Sequence, residues 1–403
     1  MNKTSIVFTG DIGFDKYMNK KWEDKNLLSQ SVLNFFHSAD HVCANVEGAL
    51  FEVPEDGTRG VCFHAMNPKA TEVLQNMRAD IWCLGNNHIM DAGIDGLIST
   101  KKIAKENACL TVGAGLDLAE ASTPVYLDEA GGIGILSVSY LVGCVPATNT
   151  EPGTLPWNDM DLIAKRIKEI KARCRWCVIV SHGGEEFSSL PLPYTRDRYL
   201  KFLEMGADVV VGHHPHVPEN YELMDNGKAI FYSLGNFIFD TDYQRAHLYT
   251  ETGILLKLEF TEDKLDFKAI GIQIERGTEH IDIAPLPDIF MNITEEEFKL
   301  LAPLSAKALI AEDMRVMRYL EPENFANCSD EVWDSYYDHT VSSYCSKNAH
   351  MDYDVILPLA QEAENGQWKN SKLENIKSYI LRQFELPYPI EYKYTHNRLE
   401  AQK

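Results

Sequence analysis

The segment GADVVVGHHPH, residues 206–216, reads as a short buried strand, Asp208–Val211, that runs into a glycine and then three histidines within four residues. The apolar run is strand-sized and lies between glycines. Pro215 stiffens the turn and biases His214 away from helix, so His214 and His216 are expected on an extended turn at the strand end. The same pattern recurs upstream. Ser5–Thr9 ends at Gly10-Asp11, and His41–Asn45 ends at Asn45-Val46-Glu47. Asp80–Leu84 ends at Gly85-Asn86-Asn87-His88, and Trp176–Ser181 ends at His182. Each strand end carries a group able to bind a metal.

Helical patterns separate these strands: Lys69–Met77, Gly96–Glu106, Met160–Arg173 and Asp197–Met205. Strand–helix alternation predicts an α/β layered core. Val125–Leu127, Ile133–Ser139, Ala229–Leu234, Gly253–Phe260 and Leu265–Ile274 add strands without long helices between them, which suggests a second sheet with hairpin pairing. The expected architecture is two mixed β-sheets sandwiched between helices, in four αββα layers. Residues 1–285 are read as this domain and 286–403 as a helical C-terminal extension packed on it. The extension opens on Thr294-Glu295-Glu296-Glu297, a capping box, with Phe298, Leu301 and Leu304 on one apolar face. The first helix is expected to run to about Leu320. Further helices are expected at Asp330–Cys345, Tyr353–Ala363 and Lys372–Phe384.

Composition narrows the function classes. Of 403 residues, 45% are hydrophobic and 24% charged, the balance of a globular protein. Acidic residues outnumber basic ones 60 to 38, giving a formal charge of -22. That disfavours nucleic acid and anionic membrane surfaces as partners. No apolar stretch is long enough for a secretory signal or a membrane span, so a cytoplasmic location is expected. Nine scattered cysteines imply no disulfide scaffold. Cys177 of the Cys174–Cys177 pair reads as a core thiol, and Gly113-Ala114-Gly115 as a tight turn before a helix, not a dinucleotide loop. Neither a GxSxG elbow nor a P-loop occurs.

The strand-end residues Asp11, Asn45, Glu47, Asn87, His88, His182, His214 and His216 fall where open α/β sheets place ligands. Carboxylate, amide oxygen and imidazole suit hard to borderline divalent ions, and a glutamate can bridge two of them. Taken singly, several of these residues have plainer readings. A strand-end His182 can be structural, and Asn87-His88 can be only a turn. Asp91 can orient the His88 imidazole or cap the helix that follows. Their occurrence together, in chain order, favours a site.

The order GD (10–11), NVEG (45–48), NNHIMDAG (86–93), SHGGEEF (181–187), GADVVVGHHPH (206–216) and YSLGNFIFD (232–240) resembles the CapA family of capsule and poly-γ-glutamate biosynthesis proteins. That family is similar in fold to calcineurin-like metallophosphoesterases. The resemblance covers roughly residues 4–240. It implies one or two divalent ions (Mn, Zn, Fe or Mg) and a hydrolase acting on a phosphoester or γ-glutamyl-type bond of a small molecule or anionic oligomer. The other reading is a non-catalytic scaffold of capsule assembly, or a polymer-binding protein, that retains a structural metal site.

By this resemblance Asp11 and His216 bind the first ion, Glu47 bridges, and Asn87, His182 and His214 bind the second. His88, with Asp91, serves the leaving group. Asn45, Glu186, His213 and Asn236 are assigned to substrate binding. Glu47 stands in place of the phosphoesterases' bridging aspartate, one methylene longer, which changes the metal spacing, and two further departures remove a side chain. The phosphoesterase histidine two residues after the first aspartate is replaced by Gly13, which leaves the first ion short of a ligand. The tryptophan after the strand-end histidine is replaced by Gly183, which suggests a wider or differently shaped pocket.

Overall fold

A computed structural model describes residues 3–52, 64–141, 143–305, 308 and 371–385. Its first sheet has eight strands: β1 (Thr4–Ile12), β2 (His41–Val46), β3 (Ile81–Cys83), β4 (Leu110–Val112), β11 (Asn236–Ile238), β12 (Thr252–Phe260), β13 (Leu265–Glu275) and β14 (His280–Ala284). Their order is β14-β13-β12-β1-β2-β3-β4, with β11 pairing with the far end of β1. The second sheet has six: β5 (Val125–Leu127), β6 (Ile133–Ser139), β7 (Trp176–His182), β8 (Val209–His213), β9 (Tyr221–Leu223) and β10 (Ala229–Phe231). They run β9-β10-β8-β7-β6-β5. Both sheets are mixed. β1-β2-β3-β4 and β6-β7-β8-β10 are parallel, while β12 and β13 form an antiparallel hairpin.

Four layers follow from the two-residue period of the strands. In β1, Val7 faces α1 (Gln30–His37), α2 (Thr71–Asn76) and α3 (Gly93–Glu106), joining Val32, Phe36, Leu74 and Leu97. Its neighbours Ile6 and Phe8 face the second sheet, joining Ile135, Val178, Val209 and Phe231. In β7, Val178 and Val180 point inward. Cys177 and Ile179 point outward onto Ile163, Ile167 and Ile170 of α4 (Met160–Arg173) and onto Tyr199 and Phe202 of α5 (Pro193–Glu204). Strands buried on both faces read as continuous apolar runs.

Two expectations are corrected. Gly253–Phe260 and Leu265–Ile274 do not join the second sheet. They extend the first, because β12 pairs antiparallel with β1 from Thr4↔Phe260 to Phe8↔Leu256. Conversely, the strands at 176 and 208 lie in the second sheet, not beside β1–β3. Sheet membership depends on pairing between residues more than two hundred positions apart, which local periodicity does not encode.

Backbones crowd where the strands end. A Cβ on Gly10 would lie 2.2 Å from the Gly235 carbonyl oxygen, and one on Gly212 would lie 1.8 Å from that of Tyr232. Only glycine permits this approach.

The capping box forms: the Thr294 amide donates to Glu297 Oε2 (2.9 Å) and the Glu297 amide to Thr294 Oγ1 (3.3 Å). In the helix at 295–305, Phe298, Leu301 and Leu304 are buried with Leu190 and Ile289 of the core and with Leu373, Ile376 and Ile380 of α6 (Ser371–Glu385). The Tyr249 hydroxyl donates to the Tyr379 carbonyl at 2.9 Å. The helices expected at Asp330–Cys345 and Tyr353–Ala363, and the stretch to Leu320 beyond residue 308, lie outside the described residues. Among the described residues, no helix is long and apolar enough to cross a membrane.

Candidate metal centre

The C-terminal ends of the two parallel strand sets meet, and the polar strand-end residues converge there. Asp11 lies inside β1 rather than after it, because the strand resumes beyond a register shift between Phe8 and Asp11. The Asp11 amide donates to the Gly235 carbonyl (2.9 Å), and the Glu47 amide to that of Ile12 (2.8 Å). Asn87, His88 and Asp91 sit in the loop after β3, and His182 ends β7. His214 and His216 follow β8.

Ligand atoms gather in three groups, each with its members within 4.8 Å of one another: Asp11, Glu47 and His216; Glu47, His182 and His214; and Glu186, His214 and His216. Glu47 belongs to the first two. Asn87 adds its Oδ1, 2.8 Å from His182 Nε2. Glu47 Oε1 lies 3.4 Å from His182 Nε2 and 3.6 Å from His216 Nε2.

The electrostatics fit a bound cation. Glu47 is fully buried, and neither carboxylate oxygen has a hydrogen-bond partner. Burial, reinforced by Asp11, pushes its carboxyl well above the usual range. Burial also acts to raise Asp11, but the hydrogen bond and charge of His216 outweigh it and hold that carboxyl low. Burial acts to lower His216, but Glu47 and Asp11 outweigh it and push the imidazole up to about 10. Burial takes His182 well below its ordinary value and His214 down to about 4, leaving both imidazoles as neutral donors. A buried Glu47 carboxylate with no hydrogen-bond donor, facing neutral His182 and balanced only by protonated His216, is unfavourable by itself. A divalent ion would satisfy Glu47 and displace the His216 proton.

Other groups orient these ligands. Asn45 Nδ2 donates to Asp11 Oδ1 at 2.7 Å. Asn236 Oδ1 meets His216 Nδ1 at 2.9 Å, while its Nδ2 donates to Gln244 Oε1 and the Thr250 carbonyl. His213 Nε2 sits 2.8 Å from the Thr9 carbonyl, tying the two sheets together. Asn45, His213 and Asn236, all expected at the substrate, are thus nearly fully buried and engaged with protein groups. His88 Nδ1 donates to Asp91 Oδ2 at 2.8 Å, which turns Nε2 toward Asn87 (3.0 Å) and Glu47 (4.0 Å). Asp91 makes no helix cap: the N-cap of α3 is Ala92.

A family model described as bacterial capsule synthesis protein, PGA_cap, matches residues 5–241. The chain belongs to this family. It is similar to the PGA biosynthesis protein CapA of Bacillus subtilis, 34% identical over 60% of this chain and 64% of that protein. It is also similar to the capsule biosynthesis protein CapA of Bacillus anthracis, 31% identical over 50% of this chain and 46% of that one. A probable polyglutamine synthesis accessory protein of Mycobacterium tuberculosis is 27% identical over 51% of this chain and 57% of its own length. The chain thus spans between about half and two-thirds of the length of these curated relatives.

In this capsule synthesis family member the space at both departures is filled. A Cβ on Gly13 would lie 2.8 Å from the Phe239 ring, so an aromatic side chain occupies that position. A Cβ on Gly183 would lie 2.8 Å from Tyr140 and 2.9 Å from Trp157. Trp157 thus supplies aromatic bulk beside Gly183 from elsewhere in the chain. The histidine turn also differs from the extended form expected. His214 has φ +96° and His216 φ +58°, in the left-handed region that non-glycine residues seldom adopt.

Sequence reasoning missed His64. Its imidazole packs edge-on against His88 with ring centroids 4.2 Å apart, pairs through Nδ1 with Asp15, and its amide donates to Asp91 at 2.8 Å. It also missed Glu185, whose carboxyl burial pushes up to about 7 while Tyr194 bonds to it. His64 follows no strand end in a recognisable motif, and Glu185 lies within SHGGEEF beside Glu186, which took the assignment.

Proposed function

We propose that this chain is a metal-dependent hydrolase of capsule polymer metabolism, acting on a γ-glutamyl-type amide bond of an anionic polymer. The observation that carries the reading is Glu47: a fully buried carboxylate with both oxygens unpartnered, common to two groups of metal-ligating atoms. Asp11, Glu47 and His216 would hold one divalent ion, and Glu47, Asn87, His182 and His214 the other, with Mn, Zn, Fe or Mg as candidates. Such ions, when bound, acidify water and polarise the scissile carbonyl.

The chain's own groups supply the proton transfers. Burial holds the His88 imidazole below its ordinary value, so it is neutral near pH 7, with Asp91 fixing its tautomer. Its Nε2 takes a proton from the attacking water and returns it to the departing nitrogen as the C–N bond breaks. Hydroxyl is left on the carbonyl carbon. Of the two bond types expected, the amide is favoured by the names of the relatives. Among the described residues, the leading charges acting on Asp11, Glu47 and His216 also come from carboxylates and imidazoles, with no guanidinium to favour a phosphate.

The test is turnover by metal-loaded protein on γ-glutamyl oligomers and, separately, on an aryl phosphodiester. Release of glutamate or shorter oligomers, lost on chelation, supports the proposal. Turnover of the phosphodiester alone would move the substrate class to phosphoesters. Two bound ions with no turnover on either would favour the scaffold reading, to which the filled space at Gly13 lends its weight.

A further inference from the structure

We propose that Glu186 is a further metal-ligating carboxylate of this centre, bound from the side of His214 and His216, which makes up for the ligand absent at Gly13. The inference rests on the metal-centre reading above and reassigns a residue expected to bind substrate. Glu186, His214 and His216 bring ligand atoms within 4.8 Å of one another. His216 belongs also to the Asp11–Glu47 group and His214 to the Glu47–His182 group. Glu186 therefore reaches both groups without passing through Glu47.

The backbone holds it there. The Gly183 amide donates to the His213 carbonyl at 2.9 Å, and the Phe187 amide to the Pro215 carbonyl at 2.8 Å. These two bonds fasten the loop on both sides of residues 184–186 against the histidine turn. Gly184 at φ +125° and Phe187 at φ +64° make the tight path between them. Among the described residues no lysine or arginine pairs with Glu186, although the carboxylate acts on His214, His216 and Glu47. Position 13 offers nothing in its place, since Phe239 fills that space.

The donor set then has a chemical consequence. Asp11, Glu47 and His216 make the first position rich in carboxylate, and Glu186 adds a third carboxylate on the His216 side, a set suited to manganese or magnesium. The second position, with two imidazoles, Glu47 and the Asn87 amide oxygen, suits zinc or ferrous iron better.

The experiment is metal binding by the full chain, stripped and then titrated with Mn2+ or Zn2+, with ions per chain from elemental analysis and affinities from calorimetry. Wild type should bind two ions. Glu186→Gln should weaken at least one of the two ions by at least the roughly 10- to 100-fold that losing a supporting residue already costs. Glu186→His should keep two ions and shift the weaker site from manganese toward zinc. Unchanged metal-free melting temperatures and circular dichroism show that each variant folds. Glu185→Gln, one residue away, should leave both ions in place. If Glu186→Gln and Glu186→Ala both bind two ions with wild-type dissociation constants, Glu186 is not a ligand. Fewer than two ions on wild type itself would instead overturn the two-ion reading on which the proposal stands.

Discussion

The layer between the two sheets changes chemistry along the strands. Over most of its length it is hydrocarbon: Ile6, Phe8, Ile135, Val178, Val209 and Phe231 are fully buried against one another. A few residues further along the same strands, Asp11, His182 and His213 are just as buried, and Glu47 joins them beyond the end of β2. One end lowers the free energy of folding by removing apolar surface from water. The other raises it, by confining carboxylates and imidazoles away from solvent. The fold tolerates the second because the first is extensive, and a cation held there, as proposed above, would offset its cost.

The contrast can be broken at either end. Truncating the hydrocarbon end has the largest expected effect on stability. Phe8→Ala should lower the unfolding free energy by about 3–5 kcal/mol, with or without metal, as read from urea midpoints. A loss that depends on metal would mean that the two ends are not separable.

At the polar end, His88 and His216 should part company. His88→Ala should leave metal content near wild type while lowering turnover by about 100- to 10,000-fold. His216→Ala should take the metal content toward one ion per chain. Equal metal loss in both variants would make His88 itself a ligand.

Glu47→Gln should act oppositely to Phe8→Ala. The folded-state pKa of Glu47 is raised, so its ionisation opposes folding at any pH above its unfolded value. In chelator at pH 7 the variant should be more stable than wild type by about 1–3 kcal/mol. The difference should shrink below about pH 4, where Glu47 is protonated in both states. Metal should stabilise wild type and not the variant. A variant less stable in chelator would show that Glu47 is not held against an unfavourable burial.

The smallest effect belongs to the opposite end of β2, where a histidine and a carboxylate meet with solvent access. His41 Nδ1 lies 2.7 Å from Asp80 Oδ2, and that hydrogen bond raises the imidazole pKa. A raised histidine stabilises fully below its unfolded value and loses this contribution as pH rises through its folded value. His41→Asn should therefore cost up to about 1 kcal/mol near pH 6 and less at pH 9. A pH-independent cost would mean that the pair acts through shape and not charge.

Legibility in the sequence follows the range of the interaction. Met160–Arg173 and Ile133–Ser139 have the bounds their patterns predict, because Ile163, Ile167 and Ile170 repeat with helical spacing and the strand is a single apolar run. The convergence of Asp11, Glu47, His182, His214 and His216 was readable for a related reason: each stands at or beside a strand end, and parallel strands bring such ends together. What could not be read was set by distant partners. The sheet that takes Thr252–Phe260 depends on β1. Phe239 and Trp157, which fill the spaces beside Gly13 and Gly183, lie far from them in the chain. The left-handed φ of His214 runs against the local bias set by Pro215, and His216 is left-handed as well.

The glycine contacts beneath the centre bear on how such a site can vary. Gly10 and Gly212 press bare backbone against the Gly235 and Tyr232 carbonyls, beside the very residues that present Asp11 and His213. With no side chain there to repack, the floor cannot shift by small steps, and even an added methyl group meets a carbonyl oxygen head-on. Variation is thereby channelled into side chains standing on a fixed floor, such as those at 11, 47, 182, 214 and 216. Redesign for another ion should follow the same route, exchanging donors at positions such as 186 and leaving the backbone beneath them alone.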